Sequence, residues 1–268
     1  MAITAVRVAA RPREYVGARG PDAASFLQAM LSNDVEALAV GESCEALLLT
    51  AKARVVAPVV VLRRAADDFL LLTEPGLGER LRATLLRSRF ARKCEIEAEE
   101  HVSHVVLGLE ADGIPTRDYG VPAAEVLDGD LDPTIDGGEL ELLRIKAGTP
   151  RFGSEIDDRV LPAEAGLDRR AIDFAKGCYP GQEPVARQHY RGRVNRTLRV
   201  LELEGAVVPE YDAEITHEGK VVGRVTSTAR DGDRVVVLGY VRVEVPAAAE
   251  LGVQARGATQ LDLTSPRP

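Results

Sequence analysis

The sequence has no tryptophan, and aromatic residues make up only 4% of its 268 positions. Its cores must therefore be built mainly from valine, leucine and alanine, and a hydrophobic share of 45% is enough for that. No apolar run approaches the roughly 18 residues that a membrane span needs, which predicts no membrane contact. The N-terminal stretch lacks the pattern of a signal peptide, so we expect a cytoplasmic location.

Cysteine is scarce and scattered. Cys44, Cys94 and Cys178 are odd in number and far apart, which argues against a disulfide framework and favours a reducing compartment. There is no C-x-x-C pair and no Cys/His spacing of the kind that binds zinc, so the sequence predicts no metal site. An iron–sulfur cluster usually takes four cysteine ligands, more than this chain contains.

The common catalytic signatures are also missing. We find no nucleophile with a histidine and an acid, no phosphate-binding glycine loop and no dinucleotide-binding fingerprint. Hydrolase, kinase and dehydrogenase functions therefore have little support.

Positive charge is concentrated in one segment of an acidic chain. The formal net charge is −8, yet residues 176–199 contain six basic residues and one acid. Such a segment is a candidate anion-binding surface, although its arginines could equally pair with neighbouring carboxylates for structural reasons.

Residue periodicity predicts an α+β protein. Two short strands precede a helix that has Pro21 at its first position, and the strands that follow include one interrupted by Pro58, which indicates an edge position or a bulge. A second helix precedes two more strands, and a third ends near Gly148. After Arg196 the short alternating runs, among them "VQARGA", predict a small antiparallel barrel or sandwich, and residues 264–268 a loose tail.

The stretch "KGCYPGQEPVARQHYRG" contains the residues with most chemical potential. Gly177 and Gly181 permit unusual backbone conformations, so Cys178 should lie on a tight turn. If Lys176 and the following arginines lie near the thiol, they favour the reactive thiolate. The alternative is a buried structural cysteine, and residue chemistry alone leaves both open.

The same stretch continues with a predicted helical turn opened by Pro184. Arg187 and Arg191 are four positions apart and would project from one side of it, an arrangement that suits a carboxylate or phosphate. Pairing of these arginines with carboxylates of another lobe is equally compatible with the sequence.

These residues resemble a known family. The motif K-G-C-Y-x-G-Q-E, with its trailing arginines, is similar to the hallmark of the YgfZ-like folate-binding proteins, whose mitochondrial relatives assist iron–sulfur cluster maturation. Further similarity to the wider superfamily of the glycine-cleavage T-protein covers "GPDAASFLQAMLSNDV", "RIKAGTPRFGSEIDDRVLPAEAGL" and "KVVGRVTSTA".

The resemblance implies a ring of ferredoxin-like α/β lobes around a central cavity for tetrahydrofolate, with a C-terminal antiparallel β-barrel. It implies a folate-binding region over 1–195, with an inserted α+β lobe at about 52–105, and the barrel over 196–268. The implied site residues are Lys176 and Cys178 as catalytic groups; Gly177, Tyr179, Gly181, Gln182, Glu183, Arg187, Arg191 and Gly192 as motif positions; and Glu164, Arg187 and Asn33 as folate-binding positions. Residue chemistry also agrees with a pterin-binding role for Glu164, since a carboxylate can accept hydrogen bonds from the paired N–H donors of a pterin. Glu164 could equally be a loop acid.

The chain also departs from the T-protein pattern. Where that protein has two adjacent aspartates, one of which assists aminomethyl transfer, this sequence has Ala57 and Pro58. Without that acid–base group, a transferase function is less favoured.

The resulting hypothesis is a folate-binding accessory protein that works with iron–sulfur assembly proteins or client enzymes, including those that modify tRNA, with Cys178 as its key residue. Two alternatives remain: a folate-dependent one-carbon transferase, and a non-catalytic module whose basic strip docks tRNA or a protein. The net charge of −8 argues against broad nucleic-acid binding.

Overall fold

The computed structural model describes residues 6–108, 112–205, 207–253 and 261–264. It contains four α-helices and fifteen strands among these residues. The helices are α1 (Ala23–Met30), α2 (Gly78–Ser88), α3 (Gly137–Lys146) and α4 (Gln182–Arg191). The strands are β1 (Arg7–Ala10), β2 (Glu14–Arg19), β3 (Ser43–Leu49), β4 (Val55–Ala65), β5 (Asp68–Thr73), β6 (Glu95–Glu99), β7 (Ser103–Leu107), β8 (Ile114–Thr116), β9 (Ala123–Leu127), β10 (Arg196–Glu204), β11 (Glu214–His217), β12 (Lys220–Asp231), β13 (Arg234–Arg242), β14 (Leu251–Val253) and β15 (Leu261–Thr264).

The largest sheet has five antiparallel strands in the order β3-β4-β5-β2-β6. Helices α1 and α2 pack on it, because their apolar stripes, represented by Leu27 and Leu81, bury against strand residues such as Val16 and Leu71. The helix-on-sheet arrangement confirms the predicted α+β class. The sheet takes in β2 and β3 as well as strands within 52–105, and the proposed domain boundaries stay predictions.

Pro58 does not lie on an edge strand. Strand β4 pairs with β3 on one side and β5 on the other, so the edge expectation is wrong. A register irregularity lies close by, where Leu48 pairs with Ala57 but Leu49 pairs with Val55. The ladder to β5 begins only at Val60, and the Pro58 carbonyl accepts a hydrogen bond from the Thr73 hydroxyl at 2.7 Å. The proline is tolerated because it lies beyond that ladder.

Two helices begin at other positions than their prolines suggested. Helix α1 begins at Ala23, and the Asp22 carbonyl accepts the first helical hydrogen bond, from the amide of Phe26. Helix α4 begins at Gln182, so Pro184 lies inside its first turn. Proline is accepted in a first turn because amides there have no helical partner.

A second, four-stranded sheet has the order β1-β7-β9-β8. Its small core joins Ala9 and Leu107 to Leu140 of α3, which is capped by the Asp136 carboxylate accepting from the Glu139 amide at 2.8 Å. Within the described ranges, no helix is long and apolar enough to cross a bilayer.

The C-terminal part forms a closed antiparallel barrel in the order β10-β13-β12-β11-β14-β15, which confirms the predicted barrel. Pairing of Glu202 and Leu203 with Thr264 and Leu263 closes it. Of the strand expected at "VQARGA", only Val253 lies within a described strand and the remainder lies outside the described residues, as does the tail from 265 onward.

A buried polar cluster fastens the barrel to the rest of the chain. The fully buried carboxylate of Glu155 accepts hydrogen bonds from Arg144 of α3 at 3.0 Å and from Ser227 of β12 at 2.6 Å. The Tyr240 hydroxyl of β13 donates to the Glu155 carbonyl at 3.0 Å. Because every one of these groups finds a partner, the interface tolerates a buried charge.

Candidate functional site

The cysteine motif forms an irregular turn that leads into α4, as the sequence predicts. Gly181 has a left-handed backbone with a φ of 83°, and a Cβ there would lie 2.5 Å from the Thr50 carbonyl oxygen. Glycine is therefore required at 181, where the turn packs against the β3–β4 hairpin. Gly177 differs, since a Cβ at this position would meet nothing within 4 Å.

The three cysteines lie in different surroundings. Cys178 is exposed, whereas Cys44 is half-buried and Cys94 is buried. Burial raises the pKa of the Cys44 thiol to about 12, and it also raises the pKa of Cys94. Cys178 is thus the accessible thiol of the three, the condition that a reactive cysteine needs.

The side chain of Lys176 does not lie where a role in activating the Cys178 thiol would suggest. Its side chain is buried, and Nζ donates hydrogen bonds to the carbonyls of Gln28 and Leu31 at 2.5 Å and of Asn33 at 3.0 Å. These carbonyls belong to the C-terminal end of α1 and the residues that follow it, where a cation is favoured by the helix dipole. Burial lowers the pKa of Lys176 to about 8, so the amine is still largely protonated at neutral pH. All three donors are used in holding the motif against α1.

Tyr179 points inward beside this lysine. It is 7% exposed and packs in an apolar cluster with Ile156 and Val185, and its ring centroid lies 5.3 Å from the Lys176 ammonium. The alternation of buried Lys176, exposed Cys178 and buried Tyr179 keeps the thiol at the surface while its neighbours anchor the turn.

Helix α4 presents the other motif residues to solvent. Glu183 and Arg187 form an ion pair at 3.0 Å in which both side chains are largely exposed, so Arg187 is paired along its own helix. Arg191 is exposed at the last position of α4, and Gly192 follows it, close enough to Gln188 that a Cβ would lie 2.9 Å from that residue. Gln182 is half-buried at the first position.

Phe174 and two residues of α4 form an aromatic group that the sequence analysis did not identify. The rings of Phe174 and His189 stack with centroids 3.8 Å apart, and Tyr190 meets His189 edge-on at 4.8 Å. Tyr190 is 69% exposed. Two adjacent aromatic residues on an otherwise polar helix are the pattern that could have indicated it.

Each predicted folate-binding residue has polar partners of its own in the structure. The Glu164 carboxylate accepts from Arg196 Nε at 3.1 Å and from the Leu161 amide at 3.0 Å, which ties the loop to the first barrel strand. The Asn33 side chain donates to the Glu45 carbonyl at 2.7 Å and accepts from the Asp34 amide at 2.9 Å. Neither these two nor Arg187 lines the cavity that lies between the two sheets.

A narrow cavity lies between the two sheets and the segment that follows α3. Its empty volume is about 670 Å³ including solvent at the mouth, but only about 60 Å³ is open to the centre of a water-sized sphere. Apolar walls come from β3, β4, β8 and the segment that follows α3, and six of its lining residues are charged. The lining is Arg13, Glu45, Ala46, Leu47, Pro58, Val59, Val60, Glu74, Ile114, Pro115, Thr116, Asp118, Glu125, Thr149, Pro150, Phe152, Ile156, Leu167, Arg170 and Ala171.

Two arginines join the walls of this cavity. Arg170 binds Glu45 of β3 at 2.6 Å and also Asp118 at 2.6 Å, so it links the larger sheet to the loop after β8. Arg13 contacts Glu74 at 3.2 Å and Glu125 of β9 at 3.0 Å. Both pairings connect separate elements, and sequence spacing could not reveal them.

The donor set of the cavity suits a folate in chemical terms. Carboxylates can accept the paired N–H donors of a pterin, arginines suit an anionic tail, and apolar walls suit the ring. The free space is smaller than typical ligand pockets of about 300–1,000 Å³, so a bound folate requires the walls to separate or lies partly in the mouth.

The ionisation of Glu74, which lines the cavity, makes the folding stability of the protein depend on pH. Burial acts to raise its pKa, but the charges of Arg11 and Arg13 outweigh this and lower it to about 2. A folded-state pKa below the unfolded value means that the stabilisation is present above about pH 4.5 and is lost as the pH falls toward 2. We expect Glu74→Gln to cost about 3 kcal/mol at pH 7 and less than half of that at pH 3.

Urea denaturation of both proteins at the two pH values measures this difference. Glu79→Gln is the matched control, because that carboxylate is 76% exposed. A Glu74→Gln cost that is the same at pH 7 and pH 3 would contradict the depressed pKa.

A scan against models of protein families gives no match. The chain is 30% identical over 249 residues to a mitochondrial iron–sulfur cluster assembly factor IBA57 homolog of Neurospora crassa, covering 75% of this chain and 55% of that protein. It is 32% identical over 125 residues to an aminomethyltransferase of Synechocystis, covering 46% of this chain and 33% of that protein.

A solved structure supports the fold. The glycine cleavage system aminomethyltransferase T of Bartonella henselae superposes with a TM-score of 0.79 at 21% identity, covering 98% of this chain and 85% of that one. The chain spans just over half the length of the Neurospora crassa relative, 55%.

Proposed function

We propose that the chain is a folate-binding accessory protein of iron–sulfur cluster assembly or repair, because it is similar to an iron–sulfur cluster assembly factor and to an aminomethyltransferase. Cys178 is its working thiol, and its partners are assembly proteins or client enzymes, including those that modify tRNA. The observation that carries the proposal is the exposure of Cys178 on an anchored turn, in a chain whose other two cysteines are packed.

The exposed thiol matches a role in transient transfer. A single cysteine cannot hold a cluster alone, so any cluster contact is shared with a partner protein. Cys178 is exposed in the turn that precedes α4, so a partner can reach it.

In this proposal a reduced folate lies at the cavity between the sheets. Glu45 and Asp118 accept hydrogen bonds from the pterin, and Arg170, which now bridges these two carboxylates, keeps both oriented. The folate supplies a one-carbon carrier or a redox-sensitive ring when bound. Glu164, Asn33 and Arg187 remain predicted folate contacts that no observation supports.

Adding tetrahydrofolate is expected to raise the melting temperature, because a ligand that binds only the native state stabilises it. Glu45→Gln and Asp118→Asn should each weaken folate binding about tenfold, since each removes a charged acceptor while keeping its shape. Calorimetric titration measures the affinity.

Glu36→Gln serves as the control, because Glu36 is exposed and does not line the cavity. No shift in melting temperature at about millimolar folate would remove the folate from the proposal, since weaker binding is worth less than about 4 kcal/mol.

A one-carbon transferase is the second candidate, supported by the similarity to the Synechocystis aminomethyltransferase. It is less favoured because Pro58 lines the cavity and supplies no acid–base group. Glu74, with its pKa of about 2, is held by arginines and is a weak base. Consumption of a one-carbon folate with glycine-cleavage partner proteins would favour the transferase.

A further inference from the structure

The last turn of α2 and the loop that leads to β6 carry an exposed phenylalanine among four basic residues. Over positions 87–93 the sequence reads RSRFARK, and Phe90 is 88% exposed. Its backbone is in the left-handed region with a φ of 48°, which is unfavourable for a bulky residue. Phe90 contributes almost nothing to a core, so its exposure on a strained backbone calls for another role.

The four cations around Phe90 are available to an anion. Arg87 donates to the Thr84 hydroxyl, Arg89 to the Cys94 carbonyl and Arg92 to the Ser25 hydroxyl, each at 3.1 Å. Within the described part of the chain, none of these three or Lys93 forms an ion pair with an acid. This contrasts with the cavity arginines, which bind carboxylates.

Two hollows adjoin the loop and share Arg89 and Arg92. The first, of about 350 Å³, lies between the loop and the α1 residues Phe26, Ala29 and Met30, and Phe90 forms part of its wall. The second, of about 390 Å³, continues past Lys93 toward β2. We call the two hollows together the Phe90 groove.

The chemistry of the groove distinguishes its possible occupants. A single-stranded nucleic acid would place phosphates on the cations and stack a base on Phe90, but a planar polar base does not match the recessed hollow lined by Ala29 and Met30. A bilayer surface would take a protruding phenylalanine but would leave a recessed groove unfilled. An acidic polypeptide with a large apolar side chain uses all of these features, since methionine, phenylalanine and arginine are typical of interface cores.

We propose that the Phe90 groove binds an acidic segment of a partner protein. The apolar side chain of that segment fills the hollow beside Met30, and its carboxylates lie against Arg89, Arg92 and Lys93. The surface differs from the cysteine motif, so the proposal does not depend on folate binding or on the role of Cys178.

A labelled peptide tests this proposal. The probe is a fluorescein-labelled ten-residue peptide of Glu and Asp with one central Leu and one Phe, and binding to the full chain is followed by anisotropy. Its matched controls replace Leu and Phe by Ser, or the acids by Gln. Single-stranded oligouridine and vesicles of phosphatidylcholine with phosphatidylglycerol are the competing probes.

We expect the acidic apolar peptide to bind, and Phe90→Ser and Arg92→Glu each to weaken it at least tenfold. Val40→Ser and Lys220→Glu, which change an exposed apolar and an exposed basic residue elsewhere, should leave binding unchanged. Neither Phe90→Ser nor Arg92→Glu should alter the melting temperature by more than a few degrees, because both side chains are exposed.

Four results would overturn the proposal: no peptide binding up to about a millimolar, equal binding of the Ser-substituted or Gln-substituted peptide, an unaltered affinity in Phe90→Ser, or tighter binding of oligouridine or vesicles than of the peptide. The last result would assign the groove to nucleic acid or to a lipid surface instead.

Discussion

Iodoacetamide at neutral pH is expected to alkylate Cys178 in the folded protein well before Cys44 or Cys94. Cys178 is exposed, whereas the Cys44 thiol is half-buried with a pKa raised to about 12 by burial. A packed thiol with a raised pKa offers little thiolate to the reagent. Peptide mass spectrometry after short exposures measures the order of labelling, and denatured protein gives the reference in which all three react.

The Cys178→Ser variant should lose the protein's support of iron–sulfur enzymes in cells completely, to the level of a gene deletion. Its free energy of unfolding should change by less than about 0.5 kcal/mol, because an exposed turn residue contributes little to packing. Its affinity for folate should be unaltered, because Cys178 does not line the cavity. Cys44→Ala is the control for loss of a thiol elsewhere.

The opposite results would contradict a working role for Cys178. If Cys178 resists alkylation until the protein unfolds and its serine variant supports iron–sulfur enzymes fully, the motif is a structural turn. The proposal of a working thiol is then wrong, and a folate-induced rise in melting temperature would still stand by itself.

Local features of the chain could be predicted from the sequence because their causes are local. The apolar spacing of Leu81 and Leu85 produced α2, and the alternating runs after Arg196 produced the barrel. Gly181 was expected at a turn and has the left-handed backbone that excludes other residues. The prolines did not predict the first residue of each helix correctly. Proline is accepted throughout a first turn, so Pro184 fits inside the first turn of α4 as well as at its start.

Features that depend on contacts between distant segments could not be predicted. Arg13 lies immediately before β2, yet it binds Glu125, which is more than a hundred positions later in the chain. Glu164 was assigned to a ligand from a resemblance, whereas the fold brings Arg196 to its carboxylate. The acids at the cavity, such as Glu45 and Asp118, had no distinguishing pattern because each comes from a different element.

Lys176 is the clearest case of a role revealed only by the fold. The sequence suggested a charge that activates the neighbouring thiol, but its ammonium donates to three carbonyls at the end of α1. A cation there satisfies orphan carbonyls and complements the helix dipole. We therefore infer that Lys176 positions the Cys178 turn instead of taking part in chemistry.

Lys176→Met should accordingly lower the free energy of unfolding by about 2–4 kcal/mol, because it removes charge-assisted hydrogen bonds from a buried site and leaves their carbonyls unpaired. Urea denaturation measures the loss, and Lys52→Met, an exposed lysine of the adjoining β3–β4 hairpin, should cost less than about 0.5 kcal/mol. Release of the turn should also change the rate at which iodoacetamide labels Cys178. Unaltered stability together with lost support of iron–sulfur enzymes would instead return Lys176 to the chemical role that the sequence suggested, since a purely positioning lysine cannot be removed without cost to the turn that it holds.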